Sequence, residues 1–182
     1  MSKILENEIF EAALLRISKG DLSPLELIYE RFGKLLFSIA FSLLENRQEA
    51  EDVLQETFIK ISYNASKYRK GENSSVKAWL VTICRNLSLD RLRHIKMQQE
   101  QMPIFHTGSA SEKVEADISF LQMISVLDEE EKQIVIFKSI WSLKHQEIAR
   151  VLDISTENSR QKYKRAIHKI RRNQISDEKN TN

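Results

Sequence analysis

Residues 49–61 read Glu49-Ala50-Glu51-Asp52-Val53-Leu54-Gln55-Glu56-Thr57-Phe58-Ile59-Lys60-Ile61. Its apolar side comprises Ala50, Val53, Leu54, Thr57, Phe58 and Ile61, at offsets 0, 3, 4, 7, 8 and 11. That is one stripe of a 3.6-residue period, so the stretch is expected to be a helix with one face in a core. Asn46 stands just upstream with Glu49 three residues on, the arrangement of a capping box. The other side carries Glu49, Asp52, Gln55 and Glu56, an acidic ridge. Such a ridge is ordinarily a solvated face; a docking surface for a basic partner is the alternative. Periodicity does not choose between them, so the rest of the chain must.

The whole chain has 182 residues with only four glycines and two prolines. So few breakers argue for long helices and against a turn-rich β fold. A hydrophobic content of 41% excludes wholesale disorder, and 182 residues suffice for one or two small domains. The net charge of +2 is unevenly spread. Residues 131–172 hold eleven Lys and Arg against four Asp and Glu, net +7, which leaves the remainder acidic. The basic part points to a polyanion partner. Cys84 is the single cysteine, so neither an intrachain disulfide nor a thiolate metal cluster is expected, in keeping with a reducing cytoplasm. Glu6, Glu8 and Glu11 interrupt the apolar residues of the N-terminus, unlike a signal peptide. No run approaches the roughly 18 apolar residues of a membrane span.

Upstream of the ridge, residues 5–18 form an amphipathic pattern ended by Lys19-Gly20-Asp21. Ser23-Pro24-Leu25-Glu26 restarts a helix, with Ser23 as cap and Pro24 at the first position. It should run to about Glu45, turning Leu27, Ile28, Phe32, Leu35, Leu36, Ile39, Ala40, Leu43 and Leu44 inward. Downstream, Ser66–Ser75 is a polar loop. Val76, Trp79, Leu80, Ile83 and Leu87 then mark the buried stripe of a helix to about His94, with Trp79 a core residue. Thr82, Asn86, Asp90 and Arg93 share another face of it. Residues 97–111 lose the periodicity and contain Pro103 and Gly108, a flexible linker. The expected organisation is all-α: one helical domain over residues 1–96, the linker, a second over 112–175, and a polar tail over 176–182.

In the second domain a helical pattern resumes near residues 112–126, and Asp128 with Glu131 caps a helix to about Ile140. Leu143, Glu147, Ile148 and Ala149 belong to a short helix ending near Leu152. Asp153-Ile154-Ser155 is a tight turn, and Ser155 caps a helix running to Arg172, with Tyr163, Ala166, Ile167 and Ile170 buried. Two helices joined by so short a turn make a helix-turn-helix. Seven bases and no acid lie between Asn158 and Arg172. Its 15 residues span about 22 Å, enough to lie in a major groove. A basic helix that binds nothing is the plainer alternative.

Taken in order, these blocks resemble a bacterial RNA polymerase sigma factor of the sigma-70 family, extracytoplasmic-function (ECF, group IV) class. Glu49-Ala50-Glu51-Asp52 with Gln55, Glu56 and Phe58 is similar to the family's region 2.2. Lys77-Ala78-Trp79-Leu80 with Ile83, Arg85-Asn86, Asp90 and Arg93 resembles region 2.3–2.4. Glu147-Ile148-Ala149, the turn, and Arg165-Ala166 resemble the region 4 helix-turn-helix. The resemblance implies a promoter-specificity subunit that binds core RNA polymerase, recognises the −35 and −10 elements of promoter DNA and supports duplex opening. It puts Asp52, Gln55 and Glu56, with Glu49 nearby, against a coiled coil of the polymerase β′ subunit. Asn86 and Asp90 fall on positions implicated in −10 recognition through a flipped base, with Arg93 one turn on. Tyr63 and Tyr68, at the edge of the Ser66–Ser75 loop, would line that pocket, where aromatics can stack on exposed bases. Arg160, Gln161, Lys164 and Arg165 would face the −35 major groove. Lys162, Lys169, Arg171 and Arg172 would meet phosphates. An anti-sigma factor is the implied regulator; no catalytic residue, cofactor, metal or membrane insertion is implied. Two departures stand out. Asp153 replaces a frequent glycine, and Ser159 replaces an apolar residue, which should weaken or shift the second helix.

Two other classes compete. A stand-alone helix-turn-helix regulator would need a dimerisation helix, and no heptad run is evident. An enzyme would need a site, but His94, His106, His145 and His168 are scattered, with no metal spacing, nucleophile elbow or phosphate loop.

Overall fold

The computed structural model describes residues 3–70, 75–101 and 123–180. Seven helices follow one another there: α1 (Lys3–Ser18), α2 (Pro24–Leu44), α3 (Arg47–Asn64), α4 (Val76–Gln101), α5 (Glu129–Val135), α6 (His145–Leu152) and α7 (Thr156–Asn180). A 3-10 turn, Ala65–Lys67, follows α3, and a π turn, Ile136–Ile140, follows α5. No strand occurs among the described residues. The chain divides into two compact units, Met1–Glu112 and Lys113–Asn182.

In the first unit α2, α3 and α4 pack pairwise, and α1 lies on α2 and on the 3-10 turn. The α3 stripe is buried as its spacing predicts: Ala50, Val53, Thr57 and Ile61 are fully enclosed. Burial of the Val53 and Ile61 side chains contributes about 2 kcal/mol each, and that of the Ala50 methyl less. From α2 come Ile28, Phe32, Leu35, Leu36, Ile39 and Ala40, and from α4 Val76, Leu80, Val81, Cys84 and Leu87. Phe10 of α1 meets Phe32 edge-on at 4.7 Å. Leu27 departs from expectation: it stays 43% exposed, because α2 offers a wider apolar arc than its neighbours cover. Glu45 ends α2 in a left-handed turn at φ 52, its N–H bonded to the Phe41 carbonyl.

Local signals held at some ends and not others. Asn46 caps α3, its side chain accepting from the Glu49 N–H at 3.1 Å. The expected Ser23 cap does not form. Its hydroxyl instead accepts from Arg16 at 3.1 Å. Helix α4 was expected to end near His94 but runs to Gln101, into the expected linker. Residues 97–101 are Met, Gln and Glu, strong helix formers with no face to bury, so the pattern that marks burial fades while the helix continues. Likewise α7 passes its expected end at Arg172 and includes most of the expected tail. Residues 102–111 of the linker and 112–122 of the expected helix lie outside the described residues.

The second unit is built on α7. Ala166 and Ile170 join Ile124, Leu127 and Val135 in one cluster, with Tyr163 and Ile167 packed against it. Asp128 and Glu131 form the reciprocal capping box at the start of α5. Asp153 takes the left-handed conformation, φ 55 and ψ 47, that closes α6. Ser155 then caps α7 by accepting from the Asn158 N–H at 3.0 Å.

Candidate nucleic-acid interface

The acidic ridge of α3 divides into two parts. Glu49 turns toward α4, where Arg91 reaches it at 2.8 Å; Arg91 also lies 4.0 Å from Glu56, whose side chain is 42% exposed and equally near Lys60 of its own helix. Glu49 therefore does not complete the capping box with Asn46; its carboxylate binds another helix instead. Arg91 is about one-third exposed, so this clamp is worth more than a surface pair, yet it remains open to water. The outer part is Asp52, Gln55, Ile59 and Tyr63, at i, i+3, i+7 and i+11 of α3. Asp52 accepts from the Gln48 amide at 3.3 Å. Ile59 is 56% and Tyr63 81% exposed, so the polar ridge continues into an apolar one.

On α4, Asn86, Asp90 and Arg93 are all exposed. Asp90 and Arg93 pair at 2.8 Å. The two tyrosines do not share a setting. Tyr68 is half-buried, with its ring edge-on to Trp79 at 5.7 Å. Its hydroxyl donates to Glu11 at 3.1 Å. Tyr63 stands in solvent on the Asp52 face of α3, so the structure does not bring it together with Tyr68.

The helix-turn-helix comprises α6, the turn Asp153–Ser155 and α7. Its outward arc on α7 holds Arg160, Gln161, Lys164, Arg165, His168 and Arg171, all exposed. Glu157 in the first turn accepts from Arg160 at 3.4 Å and Gln161 at 3.3 Å. Those exposed contacts, worth about 0.3–0.5 kcal/mol, yield readily to a bidentate base contact worth about 1–3 kcal/mol. Lys162 and Lys169 point elsewhere. Lys162 pairs with Glu130 of α5. Lys169 grips the buried Glu131 carboxylate at 2.7 and 2.8 Å. Both were expected at phosphates; both instead bind α7 to α5. Their azimuth explains it, since they lie beyond the arc on the side facing α5.

Ser159, expected to weaken or shift the second helix, is not left without a partner. It is fully buried. Its hydroxyl lies 3.0 Å from Nδ1 of His145, the first residue of α6. The His145 ring sits edge-on to Tyr163 at 5.6 Å. A hydrogen bond thus takes the place of an apolar contact between the two helices. Burial, then the charges of Lys138 and Arg160, hold His145 below its ordinary titration range.

Three features were missed at sequence level. Arg91 had a signal in the paired acids at Glu49 and Glu56, which share one face of α3. His168 is the second: it falls at i+4 from Lys164 on the basic arc. The third is the pair Asn7 and Glu11 on α1, which no local pattern announces.

Among the described residues no group of three or more His, Cys, Asp or Glu could hold a metal ion. No described helix is long and apolar enough to cross a membrane. Fold and surfaces together define an all-α protein of two helical units, one carrying a helix-turn-helix with a basic outward arc. Residues 28–96 match the Sigma-70 region 2 family and residues 117–170 the Sigma-70, region 4 family. The chain belongs to the sigma-70 family of transcription initiation factors, in its ECF class. It is 31% identical over 81 residues to the ECF RNA polymerase sigma factor SigW of Bacillus subtilis (strain 168), covering 44% of this chain and 42% of that protein. The chain thus spans about two fifths of the length of that relative. Its fold is similar to CnrH, solved in complex with the cytosolic domain of CnrY, with TM-score 0.65 and 18% identity over 92% of this chain and 97% of that one. It is also similar to the sigma factor RpoE of Bartonella quintana, solved with the anti-sigma factor NepR, with TM-score 0.64 and 18% identity over 81% and 94% of the two chains.

Proposed function

We propose that this chain is a promoter-specificity subunit of RNA polymerase, acting in the cytoplasm without a cofactor. The observation that carries the proposal is the basic outward arc of α7, presented by a helix-turn-helix in a chain of this family. Arg160, Gln161, Lys164 and Arg165 on that arc read the −35 element, with His168 and Arg171 extending the contact toward phosphates. On the first unit, Asn86 and Asp90, with Arg93, meet the −10 element and help hold the opened strand. Asp52 and Gln55, on the outer part of the α3 ridge, dock on the polymerase β′ coiled coil, where charge complementarity steers encounter and register. Glu49 and Glu56 support that surface through Arg91. An anti-sigma factor is the proposed regulator, because RpoE, whose fold this chain shares, was solved with one.

Run-off transcription with core polymerase on a library of randomised promoters tests the whole proposal. Specific transcripts that need both the chain and polymerase are expected, with a −35 and a −10 element recovered together. Asp52→Arg with Gln55→Arg leaves the Arg91 clamp in place and is expected to lower polymerase affinity by about 100-fold, the scale of two lost interfacial contacts. Undiminished co-purification of that variant with core polymerase would overturn the docking assignment.

A further inference from the structure

Two side chains of α1, one turn apart, hold both flanks of the α3–α4 connection. Glu11 is the hub. Its Oε1 accepts from the Asn7 amide at 2.8 Å and from the Tyr68 hydroxyl at 3.1 Å. Its Oε2 pairs with Lys70 at 2.9 Å, and the Glu11 side chain is only 13% exposed. Asn7 supplies the other half: its Oδ1 accepts from the backbone N–H of Val76, the first residue of α4, at 2.9 Å. Tyr68 and Lys70 precede the connection's centre and Val76 follows it. Both flanks therefore answer to the same spot on a helix about 60 residues upstream.

This is more than α4 needs in order to start. A helix N-terminus is ordinarily capped by the residue just before it. Ser75 already does so here, its hydroxyl accepting from the Ala78 N–H at 3.2 Å. The added bond from Asn7 changes little in whether α4 forms. It fixes where the start of α4 stands relative to α1. Glu11 does the same for the end of the 3-10 turn, and Tyr68 passes the constraint to Trp79 through their ring contact. A carboxylate accepting three donors while mostly shielded from water makes a stiff joint, because charge-assisted bonds are about twice as strong as neutral ones.

We propose that Asn7 and Glu11 are positioning residues for the −10 contacts. They touch no DNA. They set the stance of Tyr68 and of the first turn of α4, and so the register in which a promoter strand meets that flank and Asn86 together. The proposal rests on the reading of the chain as a promoter-specificity subunit.

The test uses the full chain, core polymerase and the best promoter recovered from the randomised library, in parallel with the same promoter carrying a substituted −10 element. Open complexes are counted by permanganate reactivity of unpaired thymines, and polymerase affinity is measured separately. Asn7→Ala with Glu11→Ala is expected to lower opening at the matched promoter about tenfold, the scale of one or two lost charge-assisted bonds. Polymerase affinity and opening at the substituted promoter should stay within about twofold, so that −10 discrimination collapses. Glu11→Gln alone keeps an acceptor for Tyr68 but gives up the carboxylate charge and the Lys70 pair, so its opening at the matched promoter should fall between the wild type and the double variant. Unchanged opening at the matched promoter overturns the proposal. So does a uniform fall in all three measurements, the signature of lost folded protein. A wild-type chain that opens no library promoter with core polymerase removes the promoter-specificity reading, and this proposal with it.

Discussion

Lys169 separates a structural role from a DNA-binding role on one helix. Its ammonium meets Glu131 at 2.7 and 2.8 Å. The Glu131 side chain is 6% exposed and that of Lys169 48%. Removing one partner of a fully buried pair costs about 3–5 kcal/mol, because the remaining charge is left without compensation. Two features reduce that here. Lys169 is half in water, and Glu131 keeps its place in the capping box, accepting from the Asp128 N–H at 3.3 Å. Lys169→Met, which preserves most of the aliphatic stem, should therefore destabilise the second unit by about 2 kcal/mol, or about 10 °C in Tm for a unit of this size. Lys164→Met, on the exposed arc, should change Tm by less than about 2 °C. DNA binding should order the two the other way. Each cation brought into the DNA's field contributes about 0.9 to the slope of log K against log salt, so losing the charge of Lys164 from the groove-facing arc gives its variant a shallower slope, while Lys169→Met leaves the slope unchanged. Unfolding is followed by Trp141 fluorescence in a Trp79→Phe background, and binding by salt titration on a promoter duplex. If Lys169→Met leaves Tm unchanged and flattens the salt slope, the assignment of Lys169 to the α5–α7 joint is wrong.

Two further outcomes are expected. His145 is held below its usual range by burial and by Lys138 and Arg160, so the unfolded chain binds its proton more readily; stability is fully present above the unfolded value of about 6.5 and declines as pH falls through it. Tm between pH 7.5 and 5.5 should consequently fall further in the wild type than in His145→Asn, by differential scanning calorimetry. At Asp153, with φ 55, Asp153→Gly should be neutral or stabilising while Asp153→Val should cost about 1–2 kcal/mol in urea denaturation, because a β-branched side chain resists the left-handed conformation.

The features legible in the sequence were those set by near neighbours along the chain. The α3 stripe, the Asn46 cap, the Asp128–Glu131 box and the Asp153 turn all depend on residues within a turn or two, and each formed. The features that were not legible join distant residues. Glu49 and Arg91 are 42 positions apart, Lys169 and Glu131 38, Tyr68 and Glu11 57. A charge at a given azimuth looks the same in sequence whether it faces a phosphate, a polymerase or a neighbouring helix. Lys162 and Lys169 were therefore grouped with the DNA-facing bases, and Glu49 with the docking ridge. Ser159 misled for a related reason: its partner His145 lies across the turn, and an isolated hydroxyl gives no sign of the acceptor or donor it will meet. The helix ends at Gln101 and Asn180 were missed because residues 97–101 and 173–180 each hold a single large apolar residue, too few to continue a helical stripe in the sequence.

Cys84 sits at the junction of α2 and α4, fully enclosed, its thiol donating to the Leu36 carbonyl at 3.2 Å. Burial pushes that thiol up to about 11, so at neutral pH almost none is the reactive thiolate. As the chain's one cysteine, it offers thiol-directed oxidants and alkylating agents no accessible thiolate while the first unit is closed. The same seclusion turns it into a native clock. An alkylating reagent in excess labels Cys84 only when the core around it opens, so the labelling rate follows excursions of the first unit and is silent to those of the second.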